Sequence, residues 1–340
     1  NHRDVEFGQI LAGVTEKLKQ VFQTKNDVFL LTGSATGGLE AAVVNTLSPG
    51  DKVLSVSIGV FGERFANITE QFGAEVTRLG FEWGTAADAD AVRQALQAEP
   101  KIKVVLVSQN ETSTGVTNDL ASISSVVKEF DKLLLVDAIS GLSAIDLPVD
   151  KWHCDVVVTG SQKGWMVPPG LAMVSVSQEA WQAQAKATIP RFYWDFSQAK
   201  SYLERPIAQT PWAPAISTVF ALSVALDMML KEGLPSIFAR HTRIGEATRD
   251  GIKSLGLSLF AEESHASNTV TAVKSDGFDV NRLRQILKDE HQVEVVGGQQ
   301  KLAGKIFRIG HMGWVTDDDI TGLISALKVA LPQAGFGGGS

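Results

Sequence analysis

In "DVVVTGSQKGWMVPPG" (155–170) an apolar run, Val156-Val157-Val158, passes through Thr159-Gly160-Ser161-Gln162 and reaches Lys163. An amine held at a strand end, among small polar residues and the indole of Trp165, loses hydration. It then becomes a neutral nucleophile more readily than a surface lysine does. A carboxylate occupies the same kind of place earlier in the chain, where "LLLVDA" (133–138) carries Asp137. Burial of a charge there demands a cation or an N–H partner. Asp137 is therefore a turn cap, one half of a buried salt bridge with Lys163, or the partner of a cationic nitrogen on a ligand.

Three further strand ends are chemically suggestive. "TGSATGGLEAA" places Ser34, Ala35 and Thr36 before a helix, where free amide N–H groups and hydroxyls favour an anion such as phosphate. The same residues also suit a plain N-capped turn. Phe61, in Gly59-Val60-Phe61-Gly62, is placed to stack on a flat ligand or to plug the core. After "KVVLVSQ" comes Asn110-Glu111-Thr112-Ser113-Thr114-Gly115, unusually polar for a loop that follows a buried strand.

These features together match one cofactor better than any of them does alone. Pyridoxal phosphate offers a phosphate, a flat ring, a pyridine nitrogen that must stay protonated and an aldehyde that condenses with an amine. Asp137 would hold the ring proton and Lys163 would form the Schiff base.

Organisation supports this. Strand patterns at 52–58, 74–81, 103–109, 133–138, 155–160 and 171–177 alternate with helical patterns at 39–47, 62–72, 88–97 and 120–130. Several strands are apolar on both faces, which predicts an α/β fold with a mainly parallel sheet between helices and ligands at the strand carboxyl ends. Beyond residue 190 lies a Pro- and aromatic-rich stretch, then a helical region over roughly 215–254 interrupted by "EGLP" (232–235). Strands are predicted at 269–275, 293–297 and 305–310, and helices near 279–290 and 317–330. We place a large domain over 1–232, a smaller α+β domain over 233–332 and a flexible tail over 333–340.

Composition narrows the function. With 44% hydrophobic and 20% charged residues the chain is of ordinary globular type. A net charge of -7 leaves no basic excess for nucleic acid. The single cysteine, Cys154, excludes an internal disulfide and a cysteine zinc site, and the scattered histidines form no HxxxH pair, so no metal is expected. No stretch is long and apolar enough for a membrane span, and a cytoplasmic location is expected. The opening "NHRDVEF" has neither a Met nor a signal-peptide core, so a leading segment is expected to precede it.

The sequence resembles the class V aminotransferases of fold type I, specifically the alanine–glyoxylate and serine–glyoxylate group. "NETSTGV" (110–116), "LLLVDAISGL" (133–142) and "GSQKGWMVPPGLA" (160–172) carry the resemblance, which runs from "HRDVEF" to "FRIG". It implies a seven-stranded sheet in the large domain and a homodimer with its sites at the interface. It implies Lys163 as the Schiff-base lysine and Asp137 as partner of the ring nitrogen. Ser34, Ala35, Thr36 and Gln162 fall at the phosphate, Phe61 and Ile139 on the two ring faces, and Thr112 near the ring hydroxyl. Arg308, in "FRIG", matches the arginine that pairs with the substrate carboxylate.

Three departures from the family pattern stand out. Ala35 lies in a loop where Ser-Gly-Thr is commoner. Ala213 replaces a threonine that reaches the neighbouring subunit's phosphate, a role for which Thr210 is the nearby candidate. The family's leading Pro-Gly-Pro-Thr segment is absent from the sequence. The activity implied is ping-pong transfer of an amino group from alanine or serine to glyoxylate. The alternatives are a cysteine desulfurase or other small-substrate transaminase, and a non-catalytic subunit that keeps the scaffold. An NAD-binding dehydrogenase lacks its GxGxxG signature here.

Overall fold

Both faces of the central sheet are apolar because both are covered by helices. The computed structural model describes residues 1–337. Its strands are β1 (Asp27–Thr32), β2 (Lys52–Ser57), β3 (Glu75–Gly80), β4 (Ile102–Ser108), β5 (Asn110–Glu111), β6 (Val116–Thr117), β7 (Leu133–Asp137), β8 (Val156–Gly160), β9 (Leu171–Val176), β10 (Val270–Lys274), β11 (Val296–Gly297) and β12 (Ile306–Gly310). The helices are α1 (Val5–Phe22), α2 (Ala35–Thr46), α3 (Val60–Gln71), α4 (Ala89–Ala98), α5 (Leu120–Glu129), α6 (Gln178–Gln184), α7 (Phe196–Leu203), α8 (Ile216–Glu232), α9 (Leu234–Ser254), α10 (Val280–His291) and α11 (Asp317–Gln333).

Seven strands form the large sheet in the order β1-β9-β8-β7-β4-β2-β3. Neighbours from β8 to β3 pair in parallel, whereas β9 pairs antiparallel with both β8 and β1. Six strands therefore share one direction and β9 alone runs against them. Alternate residues feed opposite faces: Val105, Val107, Leu134, Val136 and Val157 pack against α1, α4, α5 and α8. Val104, Leu106, Leu135, Val156 and Val158 pack against α2, α3, α6 and α7 on the other face. Strands buried on both sides read as continuous apolar runs, and this is what made them visible in the sequence.

The second unit is a three-stranded sheet, β10-β12-β11, covered by α10, α11 and the end of α9. Gly233 separates α8 from α9. Two expectations need correction. The strand predicted at 293–297 shrinks to the two residues of β11, since only Val296 and Gly297 pair with β12. The tail expected over 333–340 is packed at its start: α11 runs to Gln333, Ala334 is buried, and the Phe336 ring lies 5.8 Å from that of Phe278. Residues 338–340 of that expected tail lie outside the described residues.

Candidate active site

Six co-directed strands end at one edge of the sheet, and the loops that leave that edge bring distant residues together. Asp137 is the last residue of β7, Lys163 lies in the turn after β8, and Thr112 follows β5. Phe61 sits in the first turn of α3, after β2. Ser34, Ala35 and Thr36 open α2, after β1.

Asp137 is buried, and its Oδ1 accepts from the N–H of Ile139 at 3.0 Å. Burial pushes its pKa up to about 7, and the nearby Glu111 charge adds to the rise; the Ile139 N–H, Arg64 and Lys163 oppose it. Lys163 is half-buried. Burial and the charge of Arg308 hold its amine below the ordinary lysine value, against the pull of Asp137. The salt bridge that the sequence allowed between the two does not form. Neither Lys163, Asp137 nor Arg308 belongs to any ion pair among the described residues. The amine is thus desolvated, flanked by one charge of each sign, and uncommitted.

Arg308 reaches the same place from β12. It is 6% exposed, and its guanidinium donates to backbone carbonyls, from Nη1 to Thr112 at 3.0 Å and from Nε and Nη2 to Gly297 at 3.1 and 3.0 Å. Those neutral acceptors aim the fork without neutralising it, which leaves the charge for a carboxylate ligand. Thr112 donates its hydroxyl to Ser140 at 2.7 Å, and Asn110 donates to Ser140 at 2.8 Å. This ties the polar loop after β4 to the loop after β7.

The start of α2 lies beside the Lys163 turn. A Cβ placed on Gly160 would lie 2.7 Å from the Cβ of Ala35 and 3.0 Å from Oε1 of Gln162, so the absence of a side chain there lets the three groups converge. Ser34 is the N-cap of α2, and its exposed hydroxyl is not used to close the helix. Ala35 is buried, while Gln162 is exposed. Unspent N–H groups, a free hydroxyl and an amide at one helix start fit a phosphate.

Phe61 is half-buried, and the guanidinium of Arg64 lies 4.8 Å from its ring centroid. Arg64 therefore belongs to the edge of the site. Ile139 is half-buried beside Asp137. Thr210 stands apart, with its hydroxyl donating to the carbonyl of Trp212 at 2.7 Å and its own carbonyl accepting from Arg3 at 3.2 Å. Trp165 is a core residue whose indole N–H donates to Thr159 Oγ1 at 3.0 Å, bracing the turn that carries Lys163.

Sequence reasoning gave no role to Glu111, a wholly buried carboxylate bonded to the first turn of α3. A glutamate at the end of a buried strand was the available signal. Cys154 is buried in front of β8, at the opposite end of that strand from Lys163, and burial pushes its thiol far up. No group of three or more His, Cys, Asp or Glu poised for a metal occurs among the described residues, and none of their helices is long and apolar enough to cross a membrane.

A mainly parallel sheet with a buried Asp and a desolvated Lys at neighbouring strand ends defines the class of protein. The chain belongs to the aminotransferase class-V family, whose model matches residues 1–315. It is 44% identical to the soluble hydrogenase 42 kDa subunit of Anabaena cylindrica, over 98% of this chain and 88% of that one. It is 36% identical to the L-aspartate–glyoxylate aminotransferase of Paracoccus denitrificans, over 99% and 86%. The solved pyridoxamine–pyruvate aminotransferase of Mesorhizobium loti superposes with a TM-score of 0.93 at 32% identity, covering 97% of this chain and 86% of that one. Other relatives are named serine–glyoxylate and alanine–glyoxylate aminotransferases.

Proposed function

We propose that the chain is a pyridoxal phosphate-dependent aminotransferase that moves the amino group of a small amino acid, alanine or serine, to glyoxylate. The observation that carries this reading is the uncommitted, desolvated amine of Lys163 between Asp137 and Arg308. In a protein with only a structural role, a lysine and an arginine buried without acidic partners cost stability and return nothing. The cofactor, when bound, supplies an aldehyde for the amine and an electron sink that makes the α-proton of the substrate acidic.

The protein's own residues do the rest. With the cofactor bound, Asp137 would keep the ring nitrogen protonated, and the positive charge there would bring the carboxylate back from its raised pKa. Phe61 and Ile139 would confine the ring, Thr112 would serve its hydroxyl, and Ser34, Ala35, Thr36 and Gln162 would hold the phosphate. Arg308 grips the substrate carboxylate and turns the Cα–H bond toward Lys163. Nζ of Lys163, held below the ordinary lysine value by burial and the charge of Arg308, would take up that proton and give it back during the transfer. With one carboxylate-binding arginine in place, a small monocarboxylic donor is favoured. In a homodimer, Thr210 would be the candidate to reach the phosphate of the second copy.

A cysteine desulfurase needs an exposed, acidified thiol. Cys154 is neither, and it lies at the wrong end of β8. Names given to relatives as hydrogenase subunits do not alter the residues that line this site. A half-reaction panel with alanine, serine, glycine and glutamate, followed by cofactor absorbance, tests the donor class. Alanine or serine should convert fastest, and a preference for glutamate would refute the small-donor reading.

A further inference from the structure

Glu111 takes no part in the roles assigned above, yet four hydrogen-bond donors hold it. It is wholly buried, and no lysine or arginine pairs with it among the described residues. Only donors face it. It accepts from the backbone N–H of Phe61 at 3.0 Å and of Gly62 at 3.1 Å, and from the N–H and hydroxyl of Ser113 at 3.1 and 2.6 Å. The Ser113 hydroxyl oxygen in turn accepts from the N–H of Val60 at 3.0 Å.

Val60, Phe61 and Gly62 open α3, and their N–H groups have no acceptor within the helix. An ordinary cap comes from the residue just before the helix. Here that residue is Gly59, and the cap is supplied by β5, about fifty positions later in the chain. Residue 59 must lack a side chain for this to happen: a Cβ there would lie 2.5 Å from Cγ of Glu111 and 2.5 Å from Oγ of Ser113. The segment that supplies the cap also supplies Thr112, whose carbonyl receives Arg308. One carboxylate thus locks the turn bearing Phe61 to the loop that aims the substrate-binding arginine.

We propose that Glu111 is a positioning residue for the cofactor ring, fixing Phe61 against the Thr112 loop and placing a negative charge beside Asp137. The inference rests on the pyridoxal phosphate reading above. A glutamine cannot replace it, because the amide would turn an NH2 group toward two of the four donors. A simple helix cap would affect folding stability alone. A positioning charge also affects the protons held at the ring.

The test compares wild type, Glu111→Gln and Ser113→Ala, each titrated with pyridoxal phosphate by visible absorbance across pH, with thermal melting as the control for folding. Glu111→Gln should bind the cofactor ~10-fold or more weakly, from loss of charge-assisted hydrogen bonds. Its absorbance–pH midpoint should move to lower pH, because a negative charge has been removed from beside the titrating protons. Unchanged affinity and midpoint overturn the proposal, as does weaker binding with the midpoint unmoved. If Glu111→Gln does not fold, Ser113→Ala decides: it keeps the charge but removes one of its donors and the acceptor of the Val60 N–H, so it should weaken cofactor binding by a smaller factor with the midpoint near wild type, and unchanged affinity overturns the proposal equally. A colourless wild type overturns the cofactor reading itself, and that outcome is distinct from failure of the variant.

Discussion

Arg308 donates from Nη1 to the carbonyl of Thr112 at 3.0 Å, a bond that joins the small sheet to a loop of the large one. Its remaining hydrogen bonds go to the carbonyl of Gly297. The guanidinium is therefore aimed from both units, and it carries its charge into the site with no ion-pair partner among the described residues.

Replacing Arg308 with Gln should weaken amino-acid binding by roughly 3 kcal/mol, about a hundredfold, since one side of a charged bidentate pair is lost. The spectrum of bound cofactor should stay intact. Substrate titration followed by absorbance checks both points, and unchanged amino-acid affinity would remove Arg308 from its assigned role. The same variant takes away a positive charge that holds the Lys163 amine below its ordinary value. The pH profile of Lys163 reactivity should accordingly move to higher pH.

Lys163→Met should fold and melt at or above the wild-type temperature, because it removes the desolvation cost of the amine and breaks no ion pair. Steady-state turnover should fall by at least ~10³-fold through loss of the base and nucleophile. Circular dichroism and a coupled transaminase assay separate these two effects. A variant that retains turnover would show that another group moves the proton.

Asp137 gives a signed pH dependence. Its folded pKa, about 7, lies above the unfolded value of 3.8. The folded protein thus binds this proton more tightly, and stability falls as pH rises from about 4 through about 7. The loss attributable to this group is at most about 4 kcal/mol. Without cofactor, Asp137→Asn should flatten this part of the profile in urea melts taken at pH 5 and pH 8. Addition of pyridoxal phosphate should stabilise wild type more at pH 8 than it stabilises the variant. Parallel profiles for the two proteins would contradict the assigned burial cost.

His241 predicts the opposite sign. Its Nδ1 faces the carbonyl of Ile237 at 2.8 Å and so carries the proton, which leaves Nε2 to accept from the N–H of Gly313 at 3.0 Å. Arg240 holds the carbonyl of the same glycine at 2.8 Å. Burial keeps the His241 pKa below 6.5, so its contribution is present above pH 6.5 and is lost as pH falls below that value. His241→Leu should cost about 1–2 kcal/mol at pH 8 and less at pH 5. Equal cost at both pH values would mean that the ring acts by packing alone.

Much of this was legible because burial on two faces writes strands as unbroken apolar runs. A charged residue at the end of such a run, as at Asp137 and Lys163, is conspicuous. Direction is not written in the same way: "LAMVSVS" looks like its neighbours, and nothing in its apolar pattern marks β9 as the reversed strand. The role of Glu111 was hidden because its partners are backbone N–H groups of α3, which have no sequence signature and lie about fifty positions away. Three helices, α1, α6 and α7, were not among those expected; α6 and α7 span only about two turns each, too few to establish a period. The tail was misjudged at Phe336, where one aromatic side chain docks on Phe278 next to a glycine-rich end.

The central claim is that Lys163 is the amine that condenses with pyridoxal phosphate. Wild-type protein incubated with the cofactor, reduced with borohydride and mapped by peptide mass spectrometry tests it directly. The account predicts a yellow protein before reduction and a single pyridoxyl adduct, on Lys163. A colourless protein, or an adduct on any other lysine with Lys163 unmodified, would contradict it.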